Sequence, residues 1–472
     1  MSHPADLGIV DAAEQLARRR LSATELVSAC LGRIHERDGS HSHDGDPDSI
    51  NAWIRVYEED ALEAAAAADA QLATGDASRL CGIPIGLKDL YAVAGKPLTA
   101  SSRLLNEVPA GDCDVWVRLR AAGMVLLGHL HTHEFAAGGT TDQVGSPWGL
   151  DRTPGGSSGG SGAALAARMV PAATGTETAG SLRIPAAFSG ISSIKPTRDL
   201  VSMAGIVPLA PSLDHAGPMA RTLDDCALLL TAMVGPDRGD VSSALHLLPA
   251  ELPPRGGAKP LAGVRVVISP RLELVTIDPE VADAFGAALA TCRLLGAEVV
   301  DARPDVALDL GGDFLDVLTS DLLPYHRRFD GRRELYRQST REWVEEGERR
   351  AVSAEAYVGI QVRRRELTAV WSDWFAEQRI SLVIEPTVPI VAPVRGWGYD
   401  HAGTDYEFIS LTHYWDWTGF PAVALPAGVG SRSGLPVGIS LIGPAGSDWE
   451  LLSVGIALQR ELGVPAPHGF GE

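Results

Sequence analysis

The chain has 472 residues, 60 acidic and 40 basic side chains, a formal net charge of −20 and 45% hydrophobic residues. That apolar content excludes disorder as the dominant state, and the acidic excess argues against nucleic acid or an anionic membrane as a direct partner. No stretch approaches the roughly 20 apolar residues of a membrane span, and no signal peptide is evident. Five scattered cysteines suggest a reducing compartment, so we expect a cytoplasmic protein.

Lysine is rare in this chain. Only four of the 40 basic residues are lysines, namely Lys88, Lys96, Lys195 and Lys259, and the other 36 are arginines. A guanidinium stays protonated, whereas an amine loses its proton more readily when it is buried. Each lysine is therefore a candidate for a position at which arginine would fail.

Strand-like and helix-like patterns alternate along the chain. Ser22 and Glu25 form a capping box, which predicts a helix, and residues 35–49 predict an exposed loop. Strands are predicted at residues 52–57, 82–88, 124–130, 264–268, 298–300, 382–385, 422–425 and 437–442, and helices at 60–74, 222–234 and 279–295. This alternation predicts an α/β fold with a large sheet covered by helices, and residues 305–380 predict a helical insertion.

A glycine- and serine-rich run marks the candidate active site. Residues 155–162 contain five glycines and three serines. A phosphate-binding loop would end in Gly-Lys-Ser/Thr, and no lysine lies near. The run also matches the hydrolase motif G-x-S-x-G with Ser157 or Ser158 as nucleophile, but His413 and His468 lack the context of a catalytic histidine.

Several blocks in a fixed order resemble one known family. They are GIPIGLKDLYAVAG at 82–95, GGSSGGS at 155–161, GTETAGS at 175–181, RIPA at 183–186 and IKPT at 194–197. These blocks resemble the amidase signature family of serine hydrolases, and the resemblance is weakest at about 240–380. It implies one domain, 1–472, with a mixed central β-sheet covered by helices on both faces. Residues 1–75 would form an N-terminal helical arm that mediates pairing into a homodimer, and about 300–380 a variable helical insertion.

The resemblance also implies a catalytic set. By motif, Ser181 is the nucleophile, Ser157 is a bridging serine preceded by a cis peptide, and Lys88 is the base. The backbone of the turn formed by Thr178, Ala179, Gly180 and Ser181 would hold the oxyanion. No metal and no cofactor are implied. Glu177 stands where the family commonly has Asp and Ala179 where it has Gly, so we expect the mechanism to survive and the size of the acyl pocket to change.

The expected function is hydrolysis of a small-molecule carboxylic amide, with a small or an aryl or alkyl substrate. We expect Phe135 and Ala136 to border the site, and Trp415 and Trp417 to be either core or an acyl-pocket wall.

Three other functions stay open. One is the glutaminase (A) subunit of a tRNA-dependent amidotransferase, which would share the catalytic residues and need a partner subunit. Another is a metal-dependent amidohydrolase using the histidines of GHLHTHE at 128–134, and the last is a noncatalytic binding protein. The SSIK sequence at 192–195 matches a penicillin-binding motif without its companion motifs, so Lys195 is read as structural.

Overall fold

A mixed sheet of eleven strands runs through the described part of the protein. The computed structural model describes residues 3–236, 252–400 and 406–469. The strands of this described part are β1 Trp53–Val56, β2 Pro84–Lys88, β3 Val125–Leu130, β4 Ala172–Glu177, β5 Ser192–Lys195, β6 His215–Ala220, β7 Arg265–Ile268, β8 Glu298–Val300, β9 Leu382–Pro386, β10 Ala422–Val429 and β11 Pro436–Ile442. Their order in the sheet is β1-β3-β2-β4-β6-β5-β10-β11-β9-β7-β8.

Both parallel and antiparallel pairs occur in this sheet. β2 runs parallel to β3 and β4, and β7 runs parallel to β8 and β9, while the remaining neighbours are antiparallel. Strands β2, β4, β9 and β11 are buried along their whole length, as expected where helices cover a sheet.

Helices flank this sheet. They are α1 Ile9–Ala17, α2 Ala23–Arg37, α3 Glu58–Thr74, α4 Asp114–Ala121, α5 Gly159–Ala166, α6 Arg183–Ser189, α7 Leu223–Met233, α8 Pro279–Leu294, α9 Asp313–His326, α10 Gln338–Arg350, α11 Ala354–Glu377, α12 Trp397–Asp400, α13 Tyr406–Ile409, α14 His413–Thr418 and α15 Asp448–Leu462. Short 3-10 helices lie at Pro4–Asp6, Glu134–Ala136, Pro270–Leu274 and Arg327–Leu335. The predicted fold class, a mixed α/β sheet covered by helices, is confirmed. Within the described ranges, no helix combines the length and the apolar character that crossing a bilayer requires.

The capping box predicted at the start of α2 is present. The Ser22 Oγ accepts the Glu25 N–H at 3.0 Å, and the Glu25 carboxylate accepts the Ser22 N–H at 2.8 Å. These two bonds satisfy backbone donors that the first turn of a helix leaves without partners. Downstream of the cap, Leu26 and Ile34 pack into the core.

The predicted loop at 35–49 is less exposed than its composition indicates. α2 continues to Arg37, and the next residue, Asp38, is fully buried. Its carboxylate accepts the N–H groups of Ala52 at 2.6 Å and Trp53 at 3.1 Å, which fixes the start of β1. Burial raises the pKa of Asp38 to about 7. The expectation of an exposed loop was therefore wrong at Asp38, because the tertiary contact that buries it has no local signal.

The predicted helical insertion contains α9, α10 and α11. α10 lies close against α9 at Gly347, where a Cβ atom would stand 3.0 Å from the carbonyl oxygen of Thr319. Glycine at this position therefore lets the two helices approach closely. The division of the chain into an arm, a central domain and an insertion stays a prediction.

Candidate active site

Lys88 is the last residue of β2 and is completely buried. Its Nζ lies 2.7 Å from Ser157 Oγ, 2.9 Å from Ser158 Oγ and 2.8 Å from Thr176 Oγ1. β4 lies beside β2 in parallel, which brings Thr176 to the lysine. A neutral amine can donate two of these hydrogen bonds and accept the third from a hydroxyl group.

The environment of Lys88 favours the neutral amine. Burial lowers the pKa of Lys88 well below its ordinary value, although the charges of Asp214 and Glu177 oppose this shift. No carboxylate bonds the Nζ directly among the contacts found in the described ranges; its three partners are hydroxyl groups. Lys88 is therefore suited to accept a proton.

The glycine- and serine-rich run forms the loop that leads into α5. Its Gly156–Ser157 peptide bond is cis, as the resemblance implies. Gly156 has no room for a side chain, because a Cβ atom would stand 2.0 Å from the carbonyl oxygen of Thr140. The Ser157 carbonyl accepts the His133 N–H at 2.9 Å, which fixes the loop on its other side.

The turn after β4 carries the serine predicted as the nucleophile. Gly180 has φ of +141°, and a Cβ atom there would stand 2.4 Å from the Thr412 hydroxyl. Thr178 Oγ1 donates to Asp214 at 2.6 Å, and the Thr412 hydroxyl donates to the Ala179 carbonyl. Contacts with Asp214 and Thr412 therefore fix this turn at Thr178, Ala179 and Gly180.

Glu177 fixes the chain that follows the turn. Its carboxylate accepts the N–H groups of Leu182 at 2.8 Å and Arg183 at 3.0 Å, and it also accepts from the Arg183 guanidinium at 2.6 Å. Arg183 in turn donates to Asp416 at 3.0 Å and to the Thr412 carbonyl at 2.8 Å. All three ionisable side chains are fully buried. The longer glutamate side chain is thus accommodated by a paired network.

Ser181 lies at the wall of an apolar pocket and is 7% exposed. The cavity itself is small, about 40 Å³, and it belongs to a cleft of about 460 Å³ that includes open solvent. The wall consists of Ala137, Gly138, Gly139, Thr178, Ala179, Ser181, Leu209, Leu318, Leu322, Trp343 and Ile409. The serine hydroxyl, the Thr178–Ala179 backbone and an apolar surface therefore meet in one place.

The aromatic residues suggested as substrate contacts lie elsewhere. Trp415 is fully buried against Trp371 and donates its indole N–H to Glu385 at 2.6 Å, and Trp417 packs against Phe314. The described pocket wall includes neither Trp415 nor Trp417, and both side chains lie in the buried core, so a contact of either with substrate stays a prediction.

Phe135 and Ala136 also lie outside that wall. Phe135 is buried among Tyr325, His326 and Phe329, and Ala136 directly precedes the first wall residue, Ala137. The same loop therefore reaches the pocket at Ala137, and a contact of Phe135 or Ala136 with substrate stays a prediction.

The histidines of GHLHTHE have protein partners. His129 bonds Tyr57 at 2.7 Å and the Tyr91 carbonyl at 3.0 Å, and His131 lies 3.1 Å from Ser101 Oγ. Burial lowers the pKa of all three histidines, that of His133 to about 3. In the part of the chain that the structure describes, no three His, Cys, Asp or Glu side chains form a group suited to a metal ion.

Two features of the site were missed from the sequence. Ser158, considered there only as an alternative nucleophile, is a second serine hydroxyl bonded to Lys88, and its place in the same run was the signal for this contact. Trp343, Leu318 and Leu322 reach the pocket from α9 and α10, more than 130 residues after Ser181 in the chain. No local pattern distinguishes these side chains from ordinary helix-packing residues.

Known proteins resemble this chain over nearly its whole length. The Amidase family model matches residues 43–452. The glutamyl-tRNA(Gln) amidotransferase of Ralstonia nicotianae has a subunit, designated A, that is 36% identical over 94% of this chain and 96% of its own length. The corresponding subunit from Roseiflexus sp. is 35% identical over 96% of both chains.

Solved amidase structures share the fold. The peptide amidase from Stenotrophomonas maltophilia has a TM-score of 0.78 and 27% identity, covering 98% of this chain and 99% of its own. The 6-aminohexanoate cyclic dimer hydrolase has a TM-score of 0.83 and 26% identity, with the same coverage. The chain therefore belongs to the amidase signature family, whose members are enzymes that hydrolyse amide C–N bonds.

Proposed function

We propose that this protein hydrolyses the amide of an uncharged, apolar carboxylic acid, with Ser181 as nucleophile, Ser157 as proton relay and Lys88 as base. The observation that supports this most is the completely buried Lys88 amine, which is bonded to Ser157 and whose pKa is lowered by burial. A serine hydroxyl is a poor nucleophile until a neighbouring base takes its proton, and only a neutral amine can do so.

The reaction has two halves. Ser181 Oγ bonds to the substrate carbonyl carbon while its proton passes through Ser157 to Lys88. The C–N bond then breaks, and the same proton returns through Ser157 to the departing amine. The acyl group remains bonded to Ser181 as an acyl-enzyme. Water repeats the transfer, so that the acid is released and Ser181 regains its proton.

The turn of Thr178, Ala179, Gly180 and Ser181 is proposed as the oxyanion site. Backbone N–H groups aimed at the developing negative charge are worth roughly 10²- to 10³-fold in rate per donor. The contacts of Thr178 with Asp214 and of Ala179 with Thr412 support this proposal, because they restrict the turn before substrate arrives. The methyl group of Ala179 leaves its N–H free to donate and occupies part of the pocket wall.

The pocket wall favours an apolar acyl group over glutamine. Free glutamine carries a carboxylate and an ammonium group, and burying either without a partner is costly. The described wall contains no Asp, Glu, Lys or Arg side chain, and apart from the Thr178 and Ser181 hydroxyls its side chains are apolar. An alkyl or aryl chain suits such a wall.

The glutaminase subunit of an amidotransferase is the second candidate, because the relatives at 35–36% identity bear the name of that enzyme. Such a subunit would act beside a partner that handles tRNA, so the expectation that the protein has no nucleic-acid partner stays a prediction. Cytoplasmic location and pairing into a homodimer stay predictions as well.

Purified protein alone, assayed with straight-chain primary amides and with L-glutamine, separates the two candidates. We expect the chain alone to hydrolyse an alkyl amide with a higher kcat/KM than glutamine, and Ser181→Ala to abolish that activity. Glutamine hydrolysis that appears only with a co-purified partner would favour the amidotransferase candidate. Alkyl-amide turnover that survives in Ser181→Ala would contradict the proposed mechanism.

A further inference from the structure

The pocket beside Ser181 is built from two parts of the chain. One side comes from the signature region and includes Thr178 and Ala179. The other side comes from the helical insertion, with Leu318 and Leu322 on α9 and Trp343 on α10. Trp343 is the largest side chain in the wall, and it is half-buried. The room left for an acyl group therefore depends on where α10 holds this indole.

A buried carboxylate holds the start of α10. The N-cap residue Arg337 makes no side-chain capping bond of its own. Instead, the Glu134 carboxylate accepts the Arg337 N–H at 2.8 Å, and it also accepts from Ser102 Oγ at 2.6 Å. Glu134 is fully buried. A carboxylate at this end of a helix also interacts favourably with the helix dipole.

The same loop forms the pocket wall. His133 Nε2 lies 3.2 Å from Ser339 Oγ in the first turn of α10, and a few residues later Ala137, Gly138 and Gly139 line the pocket. A Cβ atom on Gly138 would stand 2.2 Å from the His133 ring, so the wall rests directly on that histidine. A displacement of α10 would therefore change the distance between Trp343 and the side of the pocket formed by Thr178 and Ala179.

α9 is fixed in a similar way. The Asp321 carboxylate accepts the Ser212 N–H at 2.9 Å and the Tyr357 hydroxyl at 2.6 Å. Ser212 belongs to the segment that also contains Leu209 of the pocket wall and Asp214, the partner of Thr178. The insertion is thus tied to the catalytic region on both sides of the pocket.

We propose that Trp343 sets the largest acyl group that the pocket admits, and that Glu134 is a positioning residue that holds α10, and with it Trp343, against the pocket loop. This inference rests on the proposed function, because it assigns the selectivity of the same site. The substrate class it names is the amide of a straight-chain or flat apolar acid whose length is limited by the indole.

The test compares straight-chain primary amides from acetamide to decanamide. In the wild type, kcat/KM should fall steeply once the alkyl chain of the substrate reaches Trp343, since one methylene group changes kcat/KM by about 10- to 200-fold in a hydrophobic pocket. Trp343→Ala should move this fall to longer amides and raise the ratio of long-chain to short-chain kcat/KM by at least about tenfold. Glu345→Ala is the matched control, because Glu345 lies on the exposed face of the same helix. An unchanged chain-length profile in Trp343→Ala would overturn the proposal.

Glu134 is tested by the same ratio. Glu134→Ala should change the chain-length profile mainly through KM, whereas Glu134→Gln should restore it, because an amide can still accept from Arg337 and donate to Ser102. If Glu134→Ala does not fold, Ser339→Ala at the same attachment should change the ratio in the same direction. A wild-type profile in the folded Glu134→Ala protein would overturn the role of Glu134, and a wild-type profile in Ser339→Ala would overturn the claim that the attachment of α10 to residues 133–134 positions Trp343.

If the proposed function is wrong, the wild type will hydrolyse none of the amides, which differs from the result expected if only the role of Trp343 is wrong. Labelling of Ser181 by alkyl fluorophosphonates of graded chain length would then test Trp343 by itself. Faster labelling of Trp343→Ala by the long-chain probes would support the inference, and equal chain-length dependence in both proteins would contradict it.

Discussion

At the scale of single residues, the site depends on one side chain whose charge is set by its surroundings. Lys88 is buried among three hydroxyl groups, and no arginine could act as the base that we propose here, because a guanidinium remains protonated. Lys195 is also fully buried, and burial lowers its pKa to about 8. It lies next to His215 and the Pro196 carbonyl and has no place in the proposed reaction.

Replacing Lys88 by arginine should keep a long cationic side chain at this position and abolish most of the amidase activity. We expect kcat/KM of Lys88→Arg for an alkyl amide to fall by about 10²- to 10⁴-fold, the usual contribution of a general base. Lys96→Arg is the matched control, because Lys96 pairs with Asp60 at the surface, where arginine can do the same. Equal activity in Lys88→Arg and the wild type would exclude Lys88 as the base.

The pH dependence follows from the direction of the Lys88 shift. Burial lowers the pKa of Lys88 well below its ordinary value of 10.5, so the amine is neutral at every pH above the lowered value. The kcat/KM of the wild type should therefore be lost as pH falls through that pKa and be retained on its alkaline side. A profile that rises only near pH 10.5 would show an ordinary, protonated lysine and would contradict the account.

The Glu177–Arg183 pair gives a prediction about stability. Glu177→Gln replaces one carboxylate oxygen by an NH2 group, which would face at least one of the three N–H donors that Glu177 now accepts. It also removes a negative charge that neutralises the buried Arg183 guanidinium. Breaking a buried ion pair costs about 3 to 5 kcal/mol. Urea unfolding should show a loss of about this size for Glu177→Gln. The exposed pair of Glu273 and Arg303 is the control, because Glu273→Gln should cost no more than about 1 kcal/mol. Similar losses for the two variants would contradict the importance assigned to the buried network.

At the scale of elements, the sequence predicted best the features whose pattern lies within one short segment. The capping box of α2 and the strand β2 that ends at Lys88 were predictable because their patterns are local. The burial of Asp38 was not predictable, because its partners lie 14 and 15 residues further along the chain, beyond the loop. Trp343 was not predictable for the same reason, because nothing in the local sequence of α10 shows that this side chain lines the pocket.

The cap of α2 can be tested directly. Ser22→Ala removes the side chain that accepts the Glu25 N–H, and it should lower the free energy of unfolding by about 1 kcal/mol. Ser28→Ala makes the same substitution at an exposed position inside the same helix, where alanine is the better helix former, so we expect no loss. Equal effects of the two variants in urea unfolding would show that the capping box does not stabilise the protein.

At the scale of the whole molecule, the signature blocks identified the family and the sheet order positioned its chemistry. β2 and β4 lie side by side, so the lysine at the end of β2 contacts Thr176 near the end of β4, two residues before the turn that begins at Thr178. Motifs therefore predicted Lys88, Ser157 and Ser181 as site residues. They could not predict the pocket beside Ser181, because its wall combines segments separated by hundreds of residues, and because an aromatic-rich segment such as 414–417 has the same pattern in a core as in a pocket.

The central claim is that Ser181, activated through Ser157 and Lys88, is the nucleophile. Peptide mapping by mass spectrometry after treatment with a fluorophosphonate tests it most directly, because the probe phosphonylates an activated serine and leaves a stable mark. We predict a single modified serine, Ser181, in the wild type, and strongly reduced labelling in Lys88→Arg with unchanged labelling in Lys96→Arg. Modification of Ser157 or Ser158 instead of Ser181, or equal labelling in Lys88→Arg, would contradict the account.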